Sequence, residues 1–371
     1  MGSAKERYDS KGREKVQCRV CQKWFHRLDV HLKKHKGVED YQARFPEAPL
    51  LSEWARKQDV REGKADGDES FKFGVARLAM RECDEYDQRF IPVHDEDWVL
   101  GSDEREALEA LALAIQEDEN VLIVGPPGVG KSTLVKELGA ITDTPLRRLP
   151  FRGDMRVSDL IGSKSLHVDE ATGQSVTGYE GGILPDAAEH GHWMLVDEID
   201  AGPAEVMFTL HPVLESDRSL VLTGREGGYE VDFDPRFRFI ATANTLGWGD
   251  ETGLYAGTAP MNEALLDRFG TVITMGYPDA QNEIDRIVKR SGCDKSEAEK
   301  MVVVATKVRE AQKNETTTAS LSPRRLIMWA KKSVRMGDAL RASRYTITNR
   351  LPPEEGAFVA AIVQRVFGGK I

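Results

Sequence analysis

The chain has 371 residues, enough for two or three domains with cores of their own. Its composition, 40% hydrophobic and 30% charged with 33 Gly and 16 Pro, is that of a globular protein and excludes collagen-like and wholly disordered chains. No run approaches the roughly 18 uncharged apolar residues of a membrane helix, and the first 30 or so residues carry charge where a signal peptide needs an apolar core. The expectation is a cytoplasmic protein with no membrane partner. The net charge of −10 is uneven: residues 1–36 hold eleven Lys and Arg against four acids, a net +7, which leaves −17 for the rest.

The first element is in that basic segment. VQCRVCQKWFHRLDVHLKKHKG places two residues between Cys18 and Cys21, nine between Cys21 and His31 and three between His31 and His35. A two-Cys two-His finger ordinarily has about twelve residues in the middle. Here three are missing between Phe25 and Leu28, while the apolar positions around them keep their registry. Two histidines four apart on a helix share a face and can meet two thiolates round one Zn²⁺. His26 is a lesser ligand candidate, and Cys83 and Cys293 stand alone. The shortened spacing resembles that of the bacterial Ros and MucR zinc-finger regulators, and GVEDYQARFP, residues 37–46, is similar to the segment that follows their finger. The charge of the arm, with Arg27, Lys33 and Lys34 around the predicted helix, favours phosphate backbones, so DNA is one candidate partner and a protein the other.

Residues 1–50 therefore read as a zinc-finger module. Residues 51–95 read as a linker and N-terminal extension, because 56–70 (RKQDVREGKADGDES) has little to bury. Residues 96–277 alternate short apolar runs with helical patterns, as a parallel sheet with crossover helices requires. Residues 278–371 are predicted helical throughout, and the last segment, GAFVAAIVQRVFGG, reads as apolar on more than one face.

Within the sheet region the apolar run VLIV, residues 121–124, leads into Gly125, Pro126, Pro127, Gly128, Val129, Gly130, Lys131, Ser132 and Thr133 and then a helix. This is the P-loop pattern in its strand-loop-helix setting. Backbone N–H groups of such a loop turn towards phosphate oxygens, Lys131 supplies a cation to the β- and γ-phosphates, and Ser132 offers a hydroxyl to Mg²⁺. The run WMLV ends in Asp197 and Glu198, which suit a Mg²⁺ ligand and a group that polarises the attacking water. His190 and His192 beside it have no partner at ligand spacing and read as surface residues. FRFIATA ends at Asn244, a candidate for holding that water. Arg268, after MNEALLD, is a candidate arginine finger for a neighbouring subunit; a salt bridge to Asp267 is its plain structural alternative.

With these residues in place, the chain from about residue 71 onward resembles AAA+ ATPases of the helix-2-insert clade, which includes the MoxR proteins and the ATPase subunits of magnesium and cobalt chelatases. It is most similar to the cobaltochelatase subunit CobS: ATANTLGWGDETGLYAGTAPMNEALLDRFG (241–270) and GGILPDAAEHGHWMLVDEIDAGPAEVMFTLHPVLE (181–215) carry the resemblance. The resemblance implies an α/β P-loop AAA+ domain with a helical lid. In it Lys131 and Ser132 are Walker A, Asp197 and Glu198 Walker B, Asn244 sensor 1 and Arg268 the arginine finger. Arg324 falls on the sensor 2 arginine, with Arg325 beside it. Hairpins are implied over 165–179 and 219–233. The resemblance also implies a homo-oligomeric ring, usually a hexamer, and a partner carrying a von Willebrand A domain or another client.

The expected activity is Mg²⁺-dependent ATP hydrolysis that remodels a partner protein or complex, with the finger as a targeting arm. One alternative is the ATPase subunit of a cobalt chelatase in cobalamin synthesis, although a finger is foreign to that pattern. Another is a DNA-binding regulator with an accessory ATPase, which the full set of Lys131, Glu198, Asn244 and Arg268 disfavours.

Overall fold

The computed structural model describes residues 15–21, 23–25, 31–32, 41, 44–45, 70–168, 174–224, 228–245 and 261–369. Five parallel strands form the central sheet: β1 (Val121–Val124), β2 (Leu146–Pro150), β3 (Trp193–Asp197), β4 (Arg238–Ala243) and β5 (Thr271–Thr274), in the order β5-β1-β4-β3-β2. The register sets Ile240 beside both Val121 and Leu195, and Thr271 beside Val121. Because side chains alternate across a strand, Leu122 and Val124 enter one core while Val121 and Ile123 enter the other. A strand covered on both faces reads as an unbroken apolar run, which is why VLIV and WMLV were legible.

The helices that matter for the site are α1 (Ser102–Gln116) and α2 (Lys131–Ile141). Both supply buried apolar residues to the face that carries Val121 and Ile123. An antiparallel hairpin, Ser70–Phe73 with Ala76–Ala79, packs Ala76 and Leu78 into that same core. It also ties its backbone to α1 through Val75 N–H on Glu109 and Arg77 N–H on Gln116, at 3.0 and 2.7 Å. The described part of the expected linker and extension is therefore built onto the sheet domain.

Residues 280–367 form five helices: α3 (Ala280–Ser291), α4 (Lys295–Lys313), α5 (Pro323–Met336), α6 (Ala339–Thr346) and α7 (Pro353–Phe367). Their core is separate and centres on Trp329, fully buried with its indole N–H on the Ala339 carbonyl at 2.8 Å. Only Gly356, Val359 and Val363 of α7 are buried, so its apolar residues make one buried stripe and half-exposed flanks, narrower than expected. Polar side chains join this bundle to the sheet domain. Arg286 of α3 pairs with Glu104 of α1 at 2.5 Å and donates to the Val99 carbonyl, and Arg290 pairs with Asp95.

Both expected hairpins are present in their described parts. The first pairs Gly162–Val168 with Ser175–Gly181, starting three residues earlier and ending two later than expected, its turn lying outside the described residues. The second pairs Val221–Leu222 with Tyr229–Glu230. Among the described residues no helix is long and apolar enough to cross a membrane.

Candidate active site

The loop after β1 bends because three glycines permit it. Gly128 and Gly130 have φ of 78° and 112°, the left-handed region that other residues enter only with strain, and a Cβ at Gly125 would lie 2.1 Å from the Met275 carbonyl. The turn ends at α2, whose first residue is Lys131. Its ammonium is buried under the loop, donating to the Gly125 and Pro126 carbonyls at 2.5 and 3.2 Å and to Asn244 Oδ1 at 3.0 Å. Burial lowers the Lys131 pKa to about 8, against the opposing pull of Asp200, Glu198 and Asp197.

β4 runs between β1 and β3, so the tips of all three strands meet at one edge. Ser132 Oγ donates to Asp197 Oδ1, and Asp197 is almost wholly buried. Thr242 Oγ1 donates to that same carboxylate oxygen at 3.0 Å and accepts the Glu198 N–H at 3.2 Å. Arg148, from the edge strand β2, donates to the other Asp197 oxygen. Glu198 itself is exposed and sits at φ 55°, ψ 48°, a conformation that costs a non-glycine residue about 1–3 kcal/mol. Such strain is held where surrounding structure over-determines it, here by the Thr242 bridge and the short turn Ile199–Ala201 that follows.

Asn244 is fixed from two sides. Its side chain meets Lys131, and its backbone N–H donates to Asp200 Oδ2 at 2.9 Å. Thr242, Arg148 and Asp200 were not singled out from sequence. Asp200 is three residues past Asp197 and Thr242 two before Asn244, so nearness to the motifs was the available signal; Arg148, on a different strand, gave none.

The two arginines of the expected site are at different places. Arg324 opens α5, whose start is set by the Ser322 cap and Pro323 in the first turn. A Cβ at Gly128 would lie 3.4 Å from Arg324 Cβ, so the lid touches the loop. Arg324, Gly128, Val129, Thr133, Trp98 and Ile327 line a cleft there. Arg325 turns the other way and reaches the Thr346 carbonyl. Arg268 lies at the opposite end of the sheet: the Asn120 amide, just before β1, donates to its carbonyl at 3.0 Å. From there to Gly125 is about 16 Å of strand, at about 3.3 Å per residue. The Arg268 guanidinium pairs with Glu215 at 2.5 Å, where the sequence had suggested Asp267, and also donates to the Ala264 carbonyl.

His192 corrects the sequence reading. Its side chain is wholly buried and its Nε2 lies 2.8 Å from Asp87 Oδ1. Arg81 binds the other Asp87 oxygen at 3.1 Å and the His190 and Gly191 carbonyls at 2.7 and 2.5 Å. Burial lowers the His192 pKa, with Asp87 pulling the other way. His190 stays half-buried beside the Asp186 carbonyl. No spacing rule reveals this cluster, because its members come from segments 100 residues apart.

In the basic arm, Val16–Gln17 pairs with Trp24–Phe25, and the turn between them holds Cys18 and Cys21. Ligand atoms of Cys18, Cys21 and His31 lie within 4.8 Å of one another, with Cys21 Sγ 3.2 Å from His31 Nε2. Cys18, Leu32 and Tyr41 form a small buried core. Two thiols and an imidazole are the donor set that suits Zn²⁺, whose ligands sit about 2.0–2.3 Å from the ion. His35, His26 and the basic residues Arg27, Lys33 and Lys34 lie outside the described residues.

A phosphate-binding loop, acid-tipped β3 and a helical lid on a 5-1-4-3-2 parallel sheet define a P-loop nucleotide hydrolase with a lid. Residues 120–269 match the AAA domain of the dynein-related subfamily, and residues 283–366 match the CbbQ/NirQ/NorQ C-terminal domain. The chain is 36% identical over 284 residues to the aerobic cobaltochelatase subunit CobS of a Sinorhizobium species, covering 75% of this chain and 83% of that protein. An uncharacterised Staphylococcus haemolyticus protein is 32% identical over 192 residues, covering 52% of this chain and 68% of that one. A variant of Thermotoga maritima RuvB overlays with a TM-score of 0.46 at 15% identity, over 68% of this chain and 73% of that one. The chain belongs to the AAA+ ATPases of the MoxR type and is an ATP hydrolase, with the use of ATP and Mg²⁺ that this family implies.

Proposed function

We propose that the protein works as a homo-oligomeric ring, a hexamer in the usual manner of the family, and couples ATP hydrolysis to the remodelling of a partner protein or complex. The observation that carries this reading is the convergence of Lys131, Ser132, Asp197 and Asn244 at the tips of adjacent strands. In this reading residues 125–133 cradle the phosphates, and Lys131 leaves its loop carbonyls for the β- and γ-phosphate oxygens. Ser132 and Asp197, hard oxygen donors already in contact, hold Mg²⁺. Held there, Mg²⁺ would supply positive charge to the phosphate oxygens. Glu198 takes the proton of the attacking water as its oxygen bonds to the γ-phosphorus and the bridging oxygen leaves with ADP. Asn244 orients that water.

Arg268 is too far from Lys131 of its own chain to assist, which supports a role at the site of the next subunit. Such a contact is worth about a thousandfold in rate. Arg324 meets the phosphates from the lid and carries the nucleotide state into residues 278–371. The sheet domain takes residues 96–277, with 51–95 leading into it from a Zn²⁺ module at residues 1–50, where Cys18, Cys21, His31 and His35 are the ligands. The arm's charge of +7 supports DNA as its target, with a protein as the alternative that a DNA-binding assay on the full chain separates.

A narrower reading is the motor subunit of a cobalt chelatase, since the chain is 36% identical to CobS. The partner there, as for MoxR-type motors generally, would carry a von Willebrand A domain. The experiment for the shared core is Glu198→Gln. ATP binding is expected to persist while turnover falls by about a hundredfold or more. Unchanged turnover would contradict the assignment.

A further inference from the structure

Asp200 is fully buried, yet it is neither in the phosphate loop nor among the Mg²⁺ ligands named above. Its Oδ2 accepts three hydrogen bonds from the tip of β4: the Asn244 N–H at 2.9 Å, the Thr245 N–H at 3.2 Å and the Thr245 hydroxyl at 3.3 Å. Its Oδ1 is buried with no hydrogen-bond partner. Leaving a buried carboxylate oxygen unpaired is costly, so the group is not explained as ordinary core satisfaction. The short turn Ile199–Ala201, directly after Glu198, carries Asp200. One rigid turn thus connects the acid proposed to activate water with the backbone of the residue proposed to hold that water.

We infer that Asp200 is a positioning residue for ATP hydrolysis. It clamps the backbone of Asn244 so that the side-chain amide stays over Lys131 and the γ-phosphate position, and it makes the tips of β3 and β4 move as one piece. The inference rests on the reading of Asn244 as the water-orienting residue. Two bonds from Thr242 tie the same strand tips on the side of Asp197, so Asp200 supplies the second of two cross-links and the one that reaches Asn244 itself. The carboxylate acts on the reaction through Asn244 and not by touching nucleotide.

The test compares Asp200→Ala, Asn244→Ala and the double variant in the full chain, with steady-state ATP hydrolysis and nucleotide binding measured on each. Asp200→Ala removes the acceptor of all three hydrogen bonds, whereas an amide could turn its oxygen to the same donors. The expected result is a fall in kcat of about tenfold or more with KM and ADP affinity within about threefold of the parent. The double variant is expected to be no slower than Asn244→Ala alone, since a clamp has nothing left to position. A structural defect would instead lower binding and turnover together, or multiply with Asn244→Ala, and either result overturns the inference. If Asn244→Ala is slow while Asp200→Ala turns over normally, the clamp fails and the role of Asn244 stands. If Asn244→Ala turns over normally, the role of Asn244 fails and the clamp with it. Should Asp200→Ala not fold, Asp200→Leu, which fills the space without an acceptor, is measured in its place and judged by the same outcomes.

Discussion

Lys131 shows how single residues do several jobs in this fold. It is the first residue of α2, and its ammonium ties down the loop carbonyls and touches Asn244, all while buried enough for its pKa to fall to about 8. Asp197 is as heavily shared, with Ser132, Thr242 and Arg148 all donating to its two oxygens. These donors hold the buried carboxylate in one orientation at the strand tip. In the proposed reading the cysteines of the arm are shared in a different sense, because the Zn²⁺ they would hold folds the module they belong to. Metal binding in so small a unit contributes on the order of 10 kcal/mol, most of its folding free energy. Cys21→Ser in the full chain is therefore expected to release the bound Zn²⁺, detected by metal analysis, and to open the first 50 residues to protease. ATP hydrolysis by the same preparation should persist. Retention of stoichiometric zinc would contradict the ligand assignment.

At the scale of elements, the segment from Arg81 to Phe90 acts as a strap across the start of β3. Arg81 and Asp87 close on His192 and on the carbonyls just before it, and the Phe90 carbonyl accepts the Leu146 N–H at the start of β2. Burial holds His192 below its ordinary value near 6.5, so between that value and its folded pKa the unfolded chain binds a proton that the folded chain does not. Stability from this group is complete above about pH 6.5 and is lost as pH falls through that value, by at most about 1.4 kcal/mol per pH unit. Denaturant unfolding at pH 7.5 and 5.5 should show this loss. His192→Gln should flatten the slope whatever its absolute stability, and an identical slope would contradict the account. This strap was not legible in the sequence, where His192 looked like a surface residue. Periodicity and spacing report local geometry, and a buried pair formed by residues 105 apart leaves no local trace. The sheet strands were legible for the opposite reason. Burial on both faces writes itself into consecutive residues, as in VLIV and WMLV.

For the whole molecule, the uneven charge corresponds to a small Cys- and His-built unit joined to a larger acidic body of sheet and lid. The phosphate loop could be read in advance because its chemistry demands particular residues at fixed spacing. The cross-links Thr242, Arg148 and Asp200 could not, since Thr, Arg and Asp at strand ends have many ordinary uses. Arg268 belongs to this scale, because about 16 Å of strand separates it from Gly125 and its proposed role lies between subunits. Mixing Arg268→Ala protein with Lys131→Ala protein tests the ring directly, since each variant alone leaves every site short of one group. In a one-to-one mixture about a quarter of the interfaces join an intact Lys131 to an intact neighbouring Arg268. The account predicts that ATP hydrolysis, near zero for each variant alone, recovers to about that fraction of the parent rate. No recovery at any mixing ratio would contradict the claim that one subunit completes the site of the next.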